Sequence, residues 1–473
     1  MASTELEQLK QENATLRSEL RAVQSDLKKA LYRITDLSTE LETLKRKQAR
    51  QTAPHSRNQK KANPKVSGRK KGIGAFKYRS PPENQEITQR LKIPILEPLC
   101  PKCGTELPNK SSGIRLVWLT DLGGLKPEIV EYQLEQKTCV QCGIQVEAIH
   151  PMIDHTQRGA TAHRIGVNAL SLAHCLQYEI GIPARKVPRV LELTTGMRMT
   201  QSAITQSAIS HSLTGKIIQN EYQKLRSSIK VSAVTNTDDT GWRVNAELAF
   251  IMGFKTATSV VYQIRQQHRS LEVEELIPQD YAGVLVTDRF VTYDAKLFSK
   301  VRQQKCFSHL LKNTRAMIDQ AKGRAKDFPI ALRSSLKSAL KLHNRFKTGT
   351  VSNRQFGISA KRWKTVLSKQ LPKRTKPLTR VNERLRTDLL KHLKNGNLLR
   401  FLEQPEVSPT NNAAERILRP LVIFRKLCAG NKTWSGARAL EAYSSVIQTA
   451  RLNGSSGFEV LRQLYAAKIV SRR

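Results

Sequence analysis

Apolar residues recur at alternating spacings of three and four from Leu6 to Leu44, with no Pro or Gly between them. Leu6, Asn13, Leu20, Leu27, Ile34 and Leu41 occupy one heptad position, and Leu9, Leu16, Val23, Ala30, Leu37 and Leu44 the other. A repeat sustained over six heptads predicts a coiled coil, so residues 6–44 should join the chain to copies of itself as a homodimer or higher oligomer. Asn13, the one polar residue in that seam, favours a parallel two-stranded register. The pattern then stops. Lys45 to Arg79 holds thirteen Lys or Arg and no acid, broken by Pro, Gly and Ser, which reads as a flexible linker. Its densest cations, Lys60, Lys61, Arg69, Lys70 and Lys71, are candidate DNA contacts.

Helical periodicity returns in TAHRIGVNALSLAHCLQYEI and continues to residue 228. Within it, PARKVPRVLELTTGMRMTQSAITQ reads as a helix, a Gly-containing turn and a second helix capped by Thr200 or Ser202. That fits a helix-turn-helix that reads DNA and equally a helical scaffold. After Lys230 the period shifts to strands: VSAVTNTD, AELAFIMGF and TSVVYQIR, a short helix LEVEELI, then GVLVTD and the strand-like KVRQQKCFSH. Three strands, a helix and further strands match a ribonuclease-H-like sheet. Between Leu311 and Arg400 the spacing is helical again, with twenty-four Lys or Arg against four acids. This is a basic helical insertion placed to cover the site and grip DNA.

Charge sharpens the picture. A chain of 473 residues with a formal charge of +41 exceeds what solubility requires and implies a polyanionic partner, double-stranded DNA foremost. The longest apolar stretches, such as LAFIMGF, fall far short of a membrane span, and the N-terminus lacks an apolar signal region. A cytoplasmic, nucleoid-associated protein is expected. Cys100 and Cys103, then Cys139 and Cys142, form two CxxCG knuckles separated by 35 residues, the spacing of a closed Cys₄ site for one structural Zn²⁺ in a zinc ribbon. Cys175, Cys306 and Cys428 are isolated and read as small core residues.

Against this basic background three acids stand out. Asp238 closes the run VSAVTNTD, Asp288 closes AGVLVTD, and Glu415 sits in TNNAAERILRPL, which carries helix signals. Carboxylates at neighbouring strand ends, completed by one from a crossing helix, can hold two Mg²⁺ per site against a phosphate. A one-residue slip in register would make Asp239 the first ligand in place of Asp238. His309 is a candidate for orienting a phosphate or a bound water, or a core histidine. Arg419, one helical turn after Glu415, could pair with it or bind a phosphate.

The strings DDTGW, GVLVTDRFVTYD, CFSH and NNAAERILRPLVIFRK resemble the signature blocks of insertion-sequence family sixty-six, whose large subunit is a DDE transposase. The zipper, basic hinge and zinc ribbon resemble that family's N-terminal half. The resemblance implies that Asp238, Asp288 and Glu415 form the catalytic triad, with Asn412 as an auxiliary position. It implies metal-dependent 3′-end cleavage of transposon ends, strand transfer into target DNA, and small accessory proteins from the same element. The first block here has Asp239 where the family has glutamate, and Thr410 where the third block has an acid; no triad carboxylate is lost. A decayed transposase that binds ends as a repressor, or a ribonuclease-H-like nuclease, would share the carboxylates. The expected architecture is multidomain α+β. Its parts are a zipper over 1–48, a linker over 49–90, a ribbon over 91–150 and a helical DNA-binding region over 151–229. A catalytic core follows over 230–310 and 401–473, split by the insertion over 311–400.

Overall fold

The computed structural model describes residues 2–52, 127, 136–138, 145–147, 165–371 and 379–470. The four knuckle cysteines (Cys100, Cys103, Cys139 and Cys142) and the linker cations Lys60, Lys61, Arg69, Lys70 and Lys71 lie outside the described residues. Nearly all described elements belong to one compact unit built from Met1–Ser56, Ile129–Leu193 and Met197–Arg473.

The heptad segment forms a single helix, α1 (Ala2–Thr52). Its seam is uncovered within one chain: Leu16, Leu20, Leu27, Ile34 and Leu41 are all exposed. Two short antiparallel strands, β1 (Gln136–Thr138) and β2 (Gln145–Glu147), bracket the second CxxCG motif in sequence, with Lys137 opposite Val146. The helical region that follows holds α2 (Val167–Tyr178), α3 (Val187–Thr195), α4 (Gln201–His211) and α5 (Ile217–Lys230). Thr200 caps α4 by accepting from the Ala203 amide at 3.1 Å, one of the two capping residues the sequence suggests.

A five-stranded mixed sheet forms the centre of an α+β fold. Its strands are β3 (Val234–Val244), β4 (Glu247–Lys255), β5 (Val260–Arg265), β6 (Val284–Thr287) and β7 (Arg302–Lys305), in the order β5-β4-β3-β6-β7. β3, β4 and β5 run antiparallel in succession, whereas β6 lies parallel to both β3 and β7. All four residues of β6 are buried, as expected of a central strand covered on both faces. The short helix α6 (Ser270–Glu274) connects β5 towards β6.

Two expectations are corrected here. β3 does not end at Asp238; it continues to Val244, because Trp242 and Val244 keep alternating into the core and a two-residue turn at Asn245 and Ala246, with φ of 53° and 63°, leads straight into β4. The segment CFSH is not strand: β7 stops at Lys305, and α7 (Phe307–Gln320) begins immediately. His309 therefore rides on a helix.

The segment between Leu311 and Arg400 is helical as expected, in the remainder of α7, then α8 (Asp327–Lys347), α9 (Asn353–Gln370) and α10 (Arg380–Lys394). Leu310, Leu332, Leu336, Leu367, Leu389 and Phe401 form its apolar core, which also takes in Val284 and Val286 of β6. The insertion is thereby packed onto the strand that leads to Asp288.

Two helices after the insertion cover the sheet. α11 (Asn412–Cys428) lies over β3 and β4, and a Cβ on Gly253 of β4 would stand 3.0 Å from Leu418 and 3.1 Å from Ile417. Glycine at that point allows the close approach. α12 (Trp434–Leu452) serves the edge strand β5 with side chains one turn apart. Ser445 and Thr449 accept from the Tyr262 and Val260 amides at 2.9 Å, and Glu441 accepts from Ile264. Edge amides left open by the sheet are thus satisfied by a helix. α13 (Gly457–Val470) completes the fold. Among the described residues no helix is long and apolar enough to cross a membrane.

Candidate active site

Asp238 lies mid-strand on β3, opposite Gly253, on the side where α11 approaches. The parallel register pairs Asn236 of β3 with Val286 of β6, so Asp288, the residue after β6, comes level with Asp238. Asp288 turns the chain at once: its Oδ1 accepts from the Phe290 amide at 2.8 Å. Glu415 occupies the first turn of α11.

Asn411, fully buried before that helix, fixes where the turn sits. Its Nδ2 donates to the Thr237 carbonyl at 2.7 Å, its Oδ1 accepts from Asn236 at 3.2 Å, and its amide meets the Cys306 sulfur at 3.1 Å. The start of α11 is thereby tied to β3 one residue ahead of Asp238 and to the end of β7. Asn412 adds a second tie, accepting from Ser308 of α7 at 3.1 Å. The paired asparagines explain how Glu415, 127 residues downstream of Asp288, is held towards the strand carboxylates.

The electrostatics record that convergence. Burial pushes the Asp238 carboxyl up to about 7, and the negative charges of Asp288, Asp239 and Glu415 push the same way. Asp239 faces differently. Its Oδ2 meets His268 Nδ1 at 3.0 Å, and the His268 ring lies against Phe250 and Phe290 at centroid distances of 3.8 and 4.8 Å. Adjacent residues on a strand point to opposite faces, so one aspartate joins Asp288 and Glu415 while its neighbour is held by a histidine.

Glu415 is 47 % exposed and lies 3.9 Å from His309 Nε2. His309 is held above its ordinary value by the Cys306 thiol and, against burial, by Asp288 and Glu415. Arg419 is exposed and makes no ion pair with Glu415. On β4, Lys255 donates to the Thr256 carbonyl at 3.1 Å and is pushed below its ordinary value by burial and by Arg416.

A second polar cluster, which the sequence reading missed, adjoins the first. Asp294, Asp388 and His392 place one donor atom each within 4.8 Å of one another, closer than the triad, and are the one such group among the described residues. Cations already occupy it. Fully buried Lys305 meets Asp294 Oδ1 at 2.8 Å, Arg289 meets Asp388 Oδ2 at 2.5 Å, and Lys391 lies 3.5 Å from Asp294. A divalent ion added there would face three positive side chains, so the donors present do not fit one. The cluster is an ion-pair lock between α10 and the turn after Asp288. Asp294 ends a 3₁₀ turn over Val291–Asp294 and pairs with Lys305. No local pattern signals these residues, because the partners lie on separate elements.

Asp238, Asp288 and Glu415 differ in this respect. Among the described residues no Lys or Arg forms an ion pair with Asp238, Asp288 or Glu415. Hard oxygens, and a carboxyl raised by burial and then by neighbouring acids, fit Mg²⁺.

The chain is thus an α+β protein in which strand and helix acids gather beside a basic helical insertion. It belongs to the Transposase IS66 family, whose model matches residues 163–439, more than half of the chain. No match is found among curated proteins.

Proposed function

We propose that this protein is the DNA-cutting and strand-joining transposase of an insertion sequence, with Asp238, Asp288 and Glu415 as its catalytic carboxylates. The observation that carries the reading is the coupling of Asp238 on the central strand to Asp288, at the end of the neighbouring strand, and to Glu415. The strand order, with an antiparallel triple joined to parallel β6 and β7 and crossed by α11, supports a ribonuclease-H-like core.

Asp238 and Asp288 present oxygens from neighbouring parallel strands, and Glu415 adds its own from α11. Bound there, two Mg²⁺ ions would supply an activated water or 3′-hydroxyl and a counter-charge for the leaving oxygen. Asn411 and Asn412 keep Glu415 in place. His309 orients the Glu415 carboxylate from 3.9 Å. The basic insertion over 311–400 holds the transposon end against these carboxylates, with charge contacts that weaken as salt rises.

The accessory parts suit the joining of two DNA ends. The exposed seam of α1 pairs two chains through residues 6–44, and the linker cations follow DNA. Cys100, Cys103, Cys139 and Cys142 close a zinc ribbon. Helices over 151–229 supply further DNA contacts, and small proteins from the same element join the assembly. The site of action is the bacterial nucleoid.

The test is nicking of labelled DNA that carries the ends flanking the gene, with and without Mg²⁺ and with Glu415→Gln in parallel. Metal-dependent cuts at the 3′ ends, absent from the variant, are expected. Equal cutting by the variant would remove Glu415 from the triad, and binding without any cuts would point to a repressor.

A further inference from the structure

An open recess of about 320 Å³ lies at the end of β5, between the segment Arg265–Arg269 and the first turn of α12. That volume is at the lower end of the range for small-ligand sites. Trp434 forms one wall and remains 38 % exposed, with the Arg438 guanidinium 5.7 Å from its ring centroid. No other aromatic ring stacks on it among the described residues. Gln266 and Gln267, both exposed, line the opposite wall and make no hydrogen bond among the described residues.

The acids around the recess are already neutralised. Arg269 holds Glu272 at 3.1 Å, and Arg265 and Arg438 both reach Glu441 at 2.9 Å. The wall that remains open is an aromatic face, guanidinium edges and two free amides. An aromatic face accepts any base by stacking, amides can pair with a base edge as donor and acceptor, and guanidinium groups suit the flanking phosphate.

Position ties the recess to the carboxylates. The loop before Trp434 is clamped to the far end of β3: Trp242 donates to Asn431 Oδ1 at 2.9 Å, and the Asn431 amide donates to Arg243 at 3.0 Å. The segment that forms the other wall leads to His268, which contacts Asp239 at 3.0 Å. From Asp238 to Trp242 the strand rises about 13 Å, a few nucleotides along a DNA strand.

We propose that this recess is a nucleobase subsite: Trp434 receives one unstacked base of the DNA strand near the cut, with Gln266 and Gln267 at its edge. The inference rests on the transposase reading for its substrate. Its test needs no cutting.

Full-length protein and its Trp434→Ala and Trp434→Phe variants are titrated against a labelled single-stranded oligodeoxynucleotide and against an abasic copy of the same length. The two probes share their phosphates, so charge-driven binding is common to both. Trp434→Ala should weaken binding to the base-containing strand by roughly 5- to 150-fold, the range for one stacked base, and leave the abasic strand unchanged. Trp434→Phe should recover most of the loss. Equal affinities for wild type and Trp434→Ala on the base-containing strand would overturn the subsite, and so would equal losses on both probes. A failure of strand nicking at transposon ends counts against the catalytic reading alone.

Discussion

Replacing Asp238 by Asn should make the metal-free protein more stable at neutral and alkaline pH. The carboxyl is raised from 3.8 to about 7, chiefly by burial and then by Asp288, Asp239 and Glu415. At about 1.4 kcal/mol per pK unit, some three units correspond to roughly 4 kcal/mol, an order-of-magnitude value. In the unfolded chain the group loses its proton near pH 4, whereas in the folded chain it keeps it to about 7. Between those values the folded state binds the extra proton, so stability falls as pH rises and the whole penalty is present above about pH 7. Asn carries no charge and avoids the penalty. Thermal unfolding of both proteins without added Mg²⁺ should show the variant melting several degrees higher at pH 8, at roughly 2–4 °C per kcal/mol. The gap should shrink steadily as pH approaches 4, and Mg²⁺ should raise the wild type more than the variant. A variant that melts lower at pH 8, or higher by the same margin at every pH, would refute the reasoning.

Three further outcomes follow from the packing. Asn411→Ala removes the side-chain bonds to Asn236 and Thr237 and leaves a buried carbonyl without its donor. It should cost about 1–3 kcal/mol in thermal unfolding and reduce cutting more than DNA binding, because Glu415 loses its placement. Lys305→Ala leaves Asp294 without its buried partner and should destabilise the core by about 3–5 kcal/mol, read in denaturant unfolding. Leu20→Pro breaks α1 in the middle of its seam. Sedimentation should then show a smaller assembly, and an unchanged mass would remove the zipper from the account.

Those parts of the core marked by an uninterrupted local pattern were legible in the sequence. The run GVLVTD is apolar until its last two residues, so both β6 and the position of Asp288 at its end could be read directly. Glu415 falls on a helix because NNAAERILRPLV carries helical spacing after a polar start. The end of β3 is not legible, because DDTG places four polar or small residues inside a strand whose alternation resumes only at Trp242. The same stretch hid the choice between Asp238 and Asp239, which depends on which face of the strand meets β6 and α11. The helical setting of His309 is hidden because β7 is only four residues long and α7 starts two residues beyond it. The lock formed by Arg289, Asp294, Lys305 and Asp388 was beyond reach, since its members pair across up to 99 residues of chain. Arg419 shows the limit of helical spacing as a guide: it sits one turn from Glu415, yet no ion pair forms.

The central claim is that Asp238, Asp288 and Glu415 together hold the metal that works on DNA. Binding of Mn²⁺, followed by electron paramagnetic resonance on full-length protein bound to its end DNA, tests it most directly. Wild type should take up two ions per chain at this site. Asp238→Asn, Asp288→Asn and Glu415→Gln should each lose at least one ion while still binding the DNA. Undiminished Mn²⁺ uptake by all three variants would contradict the account.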